Sequence, residues 1–342
     1  NFLNFKMLPL QKKHDLSPSD ISELLKIHYT DLMPAFYESQ SLFLCNIYKR
    51  HRSIEAANIV LCFARNIHLE IIRQREKDLN FNISSEKFWE NFSKIDKPST
   101  KISSIAEITG IPKETVRRKI KDLLDAGYLA KDEKSKGYYW NPLSKEKKNE
   151  YSKIIGYDTK NLSKFIYKIV NHLQINLDNK IVEDEIHAQF SFHWYHYLSC
   201  QLAWLKLWQL KLKDNDLLLI ALQTTIPTLQ YINNNMGIKK IDHVFKAIGK
   251  FDEKDKSQNC SVSATSVCEV TGIPRATCIR KLEKLVNLGF LTRGIKTKRY
   301  LMNKMLDRKT KGILFRDSFS FTIKNFSEYV AIIINSLIHN KL

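Results

Sequence analysis

The sequence predicts a mainly α-helical protein with small β hairpins, in which one structural unit occurs twice. The stretch TGIPKETVRRKIKDLLDAGYL (Thr109–Leu129) returns 162 positions later as TGIPRATCIRKLEKLVNLGFL (Thr271–Leu291). Aligned over Ser103–Leu129 and Thr265–Leu291, the two copies share 12 identities in 27 positions. A chain of 342 residues with 43% hydrophobic content can hold two such units around a large core.

The similarity continues beyond this stretch, because Gly137–Asn141 matches Arg299–Asn303 and Lys160–Val170 matches Lys324–Ile334. This indicates duplication of a unit of roughly 135 residues, at about 40–174 and 204–338. We therefore expect an N-terminal extension at 1–35, a first unit at 36–176 and a second at 177–342, with a linker near Gln174–Ile186. A helix expected at Pro18–Tyr29 and capped by Ser17 would then have no counterpart in the second unit.

Within each copy the pattern is helix, turn, helix, hairpin. Gly110 can adopt the positive φ that a turn requires, and Pro112 is expected in the first turn of the next helix. Apolar residues at helical spacing place that helix at 113–126, and at 275–288 in the second copy. The strand pairs expected after these helices are Leu129–Lys131 with Tyr138–Trp140 and Leu291–Arg293 with Arg299–Leu301.

A hairpin directly after the second helix resembles the wing of winged helix-turn-helix regulators of the MarR and IclR type. Only the helix-turn-helix and hairpin carry specific motifs, whereas the flanking helices match that family by length and order. The resemblance implies tandem winged helix-turn-helix domains, transcription regulation by binding double-stranded DNA, and no enzymatic activity.

Two units in one chain have a physical rationale, because one helix in the major groove reads only a few base pairs. Dimeric regulators place two such helices about one DNA turn apart, roughly 34 Å. Fusion provides the same pairing within a single chain. We therefore expect the two units to form a pseudo-dimer within one chain. Whether several such chains associate is left open. The interface between the two units is expected on four apolar segments: Phe36–Ile47, Phe165–Leu173, Ile186–Leu212 and Tyr329–Leu337.

The candidate DNA-contacting residues lie on the second helix of each copy and on the hairpins. Arginine can bind guanine bidentately, glutamate can accept from cytosine, and apolar side chains suit thymine methyl groups. Because the two copies differ at these positions, we expect an imperfect palindrome as the operator. The first unit offers Lys113, Glu114, Thr115, Arg117, Arg118, Lys121, Lys134 and Lys136, with Lys131 also on its hairpin. The second unit offers Arg275, Ala276, Thr277, Ile279, Arg280, Arg293, Lys296, Lys298 and Arg299.

Composition agrees with an anionic partner but does not identify it. The formal net charge is +19 and the pI is about 9.5. The six cysteines show no CxxC pair, which favours a reduced, intracellular protein. With DNA as the expected partner, we expect a cytoplasmic, nucleoid-associated protein. Ile186–Leu205 lacks charged residues over the length of a membrane span, but its histidines and glutamines favour a buried helix.

His193, His196 and Cys200 share one helical face, yet their aromatic neighbours favour packing over metal binding, so we expect no metal and no cofactor. The same aromatic residues, with Trp204 and Trp208, are candidates to line an effector pocket between the halves. We find no catalytic motif. The alternative functions are a plasmid-type replication initiator, which would bind repeated sites at an origin, and a winged-helix protein-interaction module.

Overall fold

The computed structural model describes residues 15–142, 144–251, 257–310 and 313–341. It is mainly helical, with 71% helix and two small antiparallel sheets. The first half contains α1 (Pro18–Ile27), α2 (Tyr29–His51), α3 (Ile54–Lys77), α4 (Phe88–Lys94), α5 (Ile102–Thr109), α6 (Lys113–Asp125), β1 (Leu129–Asp132), β2 (Gly137–Trp140) and α7 (Lys145–His172).

The second half repeats this order. It contains α8 (Asn179–Ala188), α9 (Phe190–Leu212), α10 (Asp216–Met236), α11 (Ile241–Ile248), α12 (Ala264–Thr271), α13 (Arg275–Asn287), β3 (Leu291–Arg293), β4 (Tyr300–Met302) and α14 (Phe315–Lys341). A short 3₁₀ turn, Ser257–Cys260, precedes α12. The mainly helical class with small hairpins is confirmed.

The duplication begins earlier than the sequence indicated. Helices α1 and α8 both have 10 residues and a capping side chain, Ser17 or Asp178. Helices α2 and α9 both have 23 residues and end at a left-handed residue, Arg52 or Lys213. The boundary expected at residue 36 therefore lies inside α2, and α1 does have a counterpart. The non-helical connection between the halves is 173–178, because α8 already begins at Asn179.

The uncharged stretch Ile186–Leu205 does not form one continuous helix. The chain turns at Gln189, which ends α8 and begins α9 with φ −104° and ψ 37°. His28 makes the same turn between α1 and α2, with φ −105° and ψ 36°. Among the described residues, no helix is both long enough and apolar enough to cross a membrane.

The helices of the two halves are interleaved. Helix α2 of the first half packs on α10 of the second, and α3 of the first half packs on α9 of the second. Because α9 corresponds to α2 and α10 to α3, these are two copies of the same contact. Likewise α1 packs on α14, and α8 packs on α7. One hydrophobic cluster accordingly runs through both halves. Its centre is aromatic: Phe36 of α2 contacts Phe326 of α14, with Phe165 and Trp204 beside them.

A reciprocal contact joins the starts of α3 and α10. The Ile54 N–H donates to Asp216 Oδ1 at 3.3 Å, and the Asn215 N–H donates to Glu55 Oε1 at 3.4 Å. Each carboxylate thus accepts from an N–H at the start of the opposite helix, where negative charge is favourable. Ile54 and Glu55 match Asn215 and Asp216 at a constant offset of 161 positions. The contact is therefore isologous, like the interface of a two-fold dimer.

Candidate nucleic-acid interface

The turn between α5 and α6 is built identically in both copies. Gly110 and Gly272 end their helices with φ of 70° and 71°. The preceding threonine donates its hydroxyl to a helix carbonyl, Thr109 to Ile105 and Thr271 to Val267, both at 2.7 Å. The same hydroxyl accepts the N–H two residues later, at 3.3 and 3.2 Å. Threonine and glycine together therefore fix the angle between the two helices.

Helices α6 and α13 begin at the predicted residues, Lys113 and Arg275, but the proline before each helix has another role than expected. Pro112 and Pro274 are the N-caps, with φ near −55° and ψ of 137°, rather than first-turn residues. Their carbonyls accept the N–H of Val116 and Cys278. The buried stripe follows helical spacing as predicted: Val116, Ile120 and Leu123 in α6, and Cys278, Leu282 and Leu285 in α13.

Each hairpin is extended by the segment before the first helix of its unit. Strands β1 and β2 pair from Leu129 opposite Trp140 to Asp132 opposite Gly137. Strands β3 and β4 pair from Leu291 opposite Met302 to Arg293 opposite Tyr300. Thr100 then bridges to Tyr138, and Val262 bridges to Tyr300. The hairpins are thereby anchored on both sides of the helix pair.

The outer face of α6 is cationic and exposed. Lys113, Glu114, Arg117, Arg118 and Lys121 are exposed, while Thr115 is half-buried. The Arg117 guanidinium pairs with Glu114 at 3.0 Å, and both side chains remain in solvent. Arg118 has no hydrogen bond or ion pair to any other described residue. This guanidinium is therefore available to an external partner.

The outer face of α13 is less cationic. Arg275, Ala276 and Arg280 are exposed, whereas Thr277 and Ile279 are half-buried. Lys281 turns away from the face and lies between Asp214 and Asp216, at 2.8 and 3.0 Å. Burial opposes its charge, but the two carboxylates prevail and raise the pKa of Lys281. Lys281 thus joins α13 to the loop before α10.

Each hairpin leaves two exposed lysines without a partner among the described residues, but the hairpins differ in how their other cations are paired. On the first, Lys131 pairs with Glu133 at 3.2 Å, while Lys134 and Lys136 are exposed. Asp132 accepts from the Ser135 hydroxyl at 2.5 Å, which lowers the pKa of that carboxyl. The negative charge of Asp132 and Glu133 therefore stays next to the lysines of this hairpin.

On the second hairpin, both predicted arginines are hydrogen-bonded to other residues of the chain. Arg293 donates to Glu283 at 2.8 Å, and the Tyr300 hydroxyl donates to the same oxygen at 2.7 Å. Burial and this bond to Glu283 raise the pKa of Tyr300 to about 12. Arg299 donates to the hydroxyl and carbonyl of Ser261 at 2.9 and 2.6 Å. Only Lys296 and Lys298 of the four predicted residues are exposed and without such a partner.

These internal partners were not identified from the sequence. Glu283 stands where the first copy has Lys121, and this change of sign in an otherwise repeated helix was the available signal. Ser261 and Asp214 could not be identified in that way, because they contact the site only through the folded arrangement.

Each helix pair rests on helices from both halves of the chain. Helix α5 packs on α3 of its own half and on α9 of the other, and α12 packs on α10 and α2. A Cβ atom at Gly110 would lie 3.2 Å from Lys206 Cγ, and one at Gly272 would lie 3.5 Å from Lys49. The interleaved helices thus fix α6 relative to α13.

Of the aromatic residues expected around an effector, Trp194, Trp204 and Trp208 line two small cavities at equivalent places. One of about 30 Å³ is bounded by residues that include Tyr128, Trp140 and Trp194. The other, of about 10 Å³, is bounded by residues that include Trp204 and Trp208. Their volumes suit one or two water molecules rather than an organic ligand.

The candidate metal ligands on α9 do not come together as a metal-binding group in the described part of the chain. His193 is buried with its Nε2 3.7 Å from Glu185 Oε1, and Cys200 is buried against Asn325. His196 is half-buried and packs on Phe192. The structure therefore uses this face for packing.

No protein-family model matches the chain, and neither the curated proteins nor the solved structures give a match.

Proposed function

We propose that the protein is a sequence-specific regulator of transcription that binds double-stranded DNA in the cytoplasm through two winged helix-turn-helix units. Helices α6 and α13 enter successive major grooves as recognition helices, and the hairpins contact the flanking backbone. One observation carries this proposal: two copies of the same helix, turn, helix and hairpin present exposed arginines and are held by one interleaved scaffold.

Arg118 and Arg280 are the first residues to which we assign base contacts. They occupy the same position of the repeat, both are exposed, and neither has a partner among the described residues. A guanidinium donates two parallel hydrogen bonds to guanine O6 and N7, and such a pair contributes about 1–3 kcal/mol of discrimination. Lys134, Lys136, Lys296 and Lys298 are assigned to phosphates, which set affinity and salt dependence.

The scaffold supports a fixed spacing of the recognition helices. The isologous contact between α3 and α10, together with the exchanged packing of α2 and α9, gives the chain the internal symmetry of a dimer. A dimeric regulator requires half-sites about 34 Å apart or at a multiple of that spacing. In this chain the spacing is set without association of two molecules, so binding should not depend on dimerisation.

The two recognition faces are expected to read different half-sites. At three matched positions the first copy has Glu114, Arg117 and Lys121, whereas the second has Ala276, Ile279 and Glu283. Glutamate and arginine recognise hydrogen-bonding groups of bases, while alanine and isoleucine favour thymine methyl groups. The operator should accordingly be an imperfect palindrome.

The proposal is tested by selecting bound sequences from random duplex DNA and measuring affinity for the selected site. Simultaneous replacement of Arg117, Arg118 and Arg280 by alanine should weaken specific binding at least a hundredfold, since several base and phosphate contacts are removed. A matched variant that replaces Lys26, Arg73 and Lys180 by alanine loses the same charge from α1, α3 and α8. It should bind within a few-fold of the unchanged protein.

The outcomes separate the rival functions. Equal losses in the two triple variants would contradict recognition by α6 and α13. Absence of any duplex selected above background would contradict DNA binding and favour a protein-interaction module. A selected site that occurs in the genome as clustered repeats at an origin would favour replication initiation. Selection of a site with two identical half-sites would contradict the proposal that α6 and α13 recognise different base sequences.

A further inference from the structure

Three side chains with metal-ligand chemistry meet where the turn between α1 and α2 lies beside the end of α7. His28 lies at the turn between α1 and α2, Asp31 in the first turn of α2, and His172 at the last residue of α7. One ligand atom from each residue lies within 4.8 Å of the others. His28 and Asp31 are half-buried and His172 is exposed, so solvent ions can reach the cluster.

The hydrogen bonds around the cluster orient its ligand atoms. His172 Nδ1 lies 2.9 Å from the carbonyl oxygen of Lys168, which can only accept, so Nδ1 carries the proton. In the neutral ring, Nε2 then keeps a lone pair for a ligand bond. Metal-bound histidines usually donate from their second ring nitrogen to a carboxylate, a backbone carbonyl or water, and Lys168 supplies such a carbonyl here.

Asp31 is held in a similar way. Its Oδ1 accepts from the Lys239 ammonium at 2.5 Å, and Lys239 also donates to Asn233 at 2.8 Å. Its Oδ2 lies 3.8 Å from His28 Nδ1. One oxygen of the carboxylate is thus fixed by the loop after α10, and the other faces the histidines.

Three helix ends meet here: the C-termini of α1 and α7 favour a cation, while the N-terminus of α2 at Tyr29 opposes one. Helix α1 ends immediately before His28, and α7 ends at His172. The last carbonyl groups of a helix carry partial negative charge, which favours a cation nearby. This contribution does not depend on the three side chains themselves.

We propose that His28, Asp31 and His172 form a binding site for one zinc-class divalent metal ion. Two imidazoles and one carboxylate are a donor set that zinc accepts, with water completing a tetrahedron. Zinc bonds of about 2.0–2.1 Å bring tetrahedral ligand atoms to roughly 3.4 Å from one another. Because the ligand atoms lie within 4.8 Å of one another, they would have to approach by at most about 1.4 Å, and the exposed His172 side chain is free to turn toward the other two.

The site belongs to the first half alone. The positions that match His28, Asp31 and His172 are Gln189, Phe192 and Ser336. In the second half, Ser336 instead donates to Glu185 at 2.9 Å. One ion per chain is therefore expected, and it would link the α1–α2 turn to α7 and, through Asp31 and Lys239, to the loop after α10.

The test is zinc binding by the full-length protein after removal of metals with a chelator. Titration against a chromophoric zinc chelator should give one site per chain, and cobalt should give the visible absorption of a tetrahedral site. Replacement of either ligand, His28→Gln or His172→Gln, should weaken zinc binding at least tenfold and remove the cobalt band. Zinc should also raise the melting temperature of the unchanged protein but not of H172Q.

His339→Gln is the matched control, because His339 is an exposed histidine that pairs with one aspartate, Asp15, at 2.7 Å, and no third ligand joins them among the described residues. This variant should keep full zinc stoichiometry and affinity. Binding that is unchanged in both H28Q and H172Q, or equally reduced in H339Q, would overturn the proposal. So would a stoichiometry well below one, because the site needs no second molecule.

Discussion

Glu283 shows how one side chain alters the cations around it. It accepts from Arg293 and from the Tyr300 hydroxyl, and it stands at the position of Lys121 in the first copy. Arg293 and Glu283 are both partly exposed, so their ion pair is weak, but the carboxylate still offsets the charge that Arg293 presents to a phosphate. The proposed contribution of the second hairpin therefore falls on Lys296 and Lys298.

Glu283→Lys should reverse this effect. The substitution releases Arg293 and adds a cation where α6 has Lys121, so one or two more phosphates are neutralised. The slope of log affinity against log salt should become steeper by about 1–2. Glu23→Lys on α1 makes the same change of charge away from α13 and is the control. Equal slopes in the two variants would show that only total charge matters.

At the scale of the element, α7 carries a buried polar residue on its core face. Asp158 is 2% exposed, and its Oδ2 lacks a hydrogen-bond partner in the described structure. Burial raises the pKa of this carboxyl well above its usual value. In the folded protein Asp158 therefore keeps its proton to a higher pH than in the unfolded chain, where an aspartate has a pKa near 4.

Asp158→Asn should stabilise the protein at neutral and alkaline pH. Because the pKa of Asp158 is higher in the folded than in the unfolded state, protonation of this carboxyl stabilises the folded protein. This stabilisation is complete only at pH values below the pKa of Asp158 in the unfolded chain. That contribution is lost as the pH rises from about 4 toward the raised folded value. Asparagine is neutral throughout, so its advantage should be a few degrees in melting temperature at pH 8 and near zero at pH 4. Thermal unfolding of both proteins across this range measures it. A larger gain at pH 4 than at pH 8 would contradict the protonation argument.

The elements differ in how well the sequence predicts them. Helices α6 and α13 were predicted within one residue, because glycine, proline and the apolar stripe act within about twenty positions. The turn at Gln189 was missed because it contains neither glycine nor proline. Helix α1 was not matched to α8 because their sequences share little beyond a capping side chain and two buried positions, Ile21 and Leu25 against Val182 and Ile186.

The candidate site was predicted only in part, for a related reason. Exposure of Arg118 and Arg280 follows from helical periodicity, which is local. The loss of Arg293 and Arg299 to Glu283 and Ser261 depends on which strand and loop come together in space. The His28, Asp31 and His172 cluster joins residues more than 140 positions apart, so no spacing pattern indicates it.

At the scale of the whole molecule, neither half can bury its apolar surface alone. Helix α2 needs α10, α3 needs α9, and α1 needs α14 to cover their inner faces. The free energy of folding comes mainly from this shared apolar core. The lysines and arginines on the surface give the protein its high positive charge and contribute little to that free energy. The halves are therefore expected to fold and unfold as one cooperative unit.

Equilibrium unfolding in urea tests this expectation with probes in each half. Trp89 and Trp140 report on the first half, and Trp194, Trp204 and Trp208 report on the second. Variants that keep only one of these two tryptophan sets should give fluorescence transitions that coincide with each other and with the loss of helical circular dichroism. Phe326 contacts Phe36 and Phe165 across the two halves, so Phe326→Ala should weaken their packing. The two fluorescence transitions and the circular dichroism transition should then shift together to lower urea concentration. Separate midpoints for the two tryptophan sets would mean that each half folds independently, and the scaffold could then no longer fix the spacing between α6 and α13.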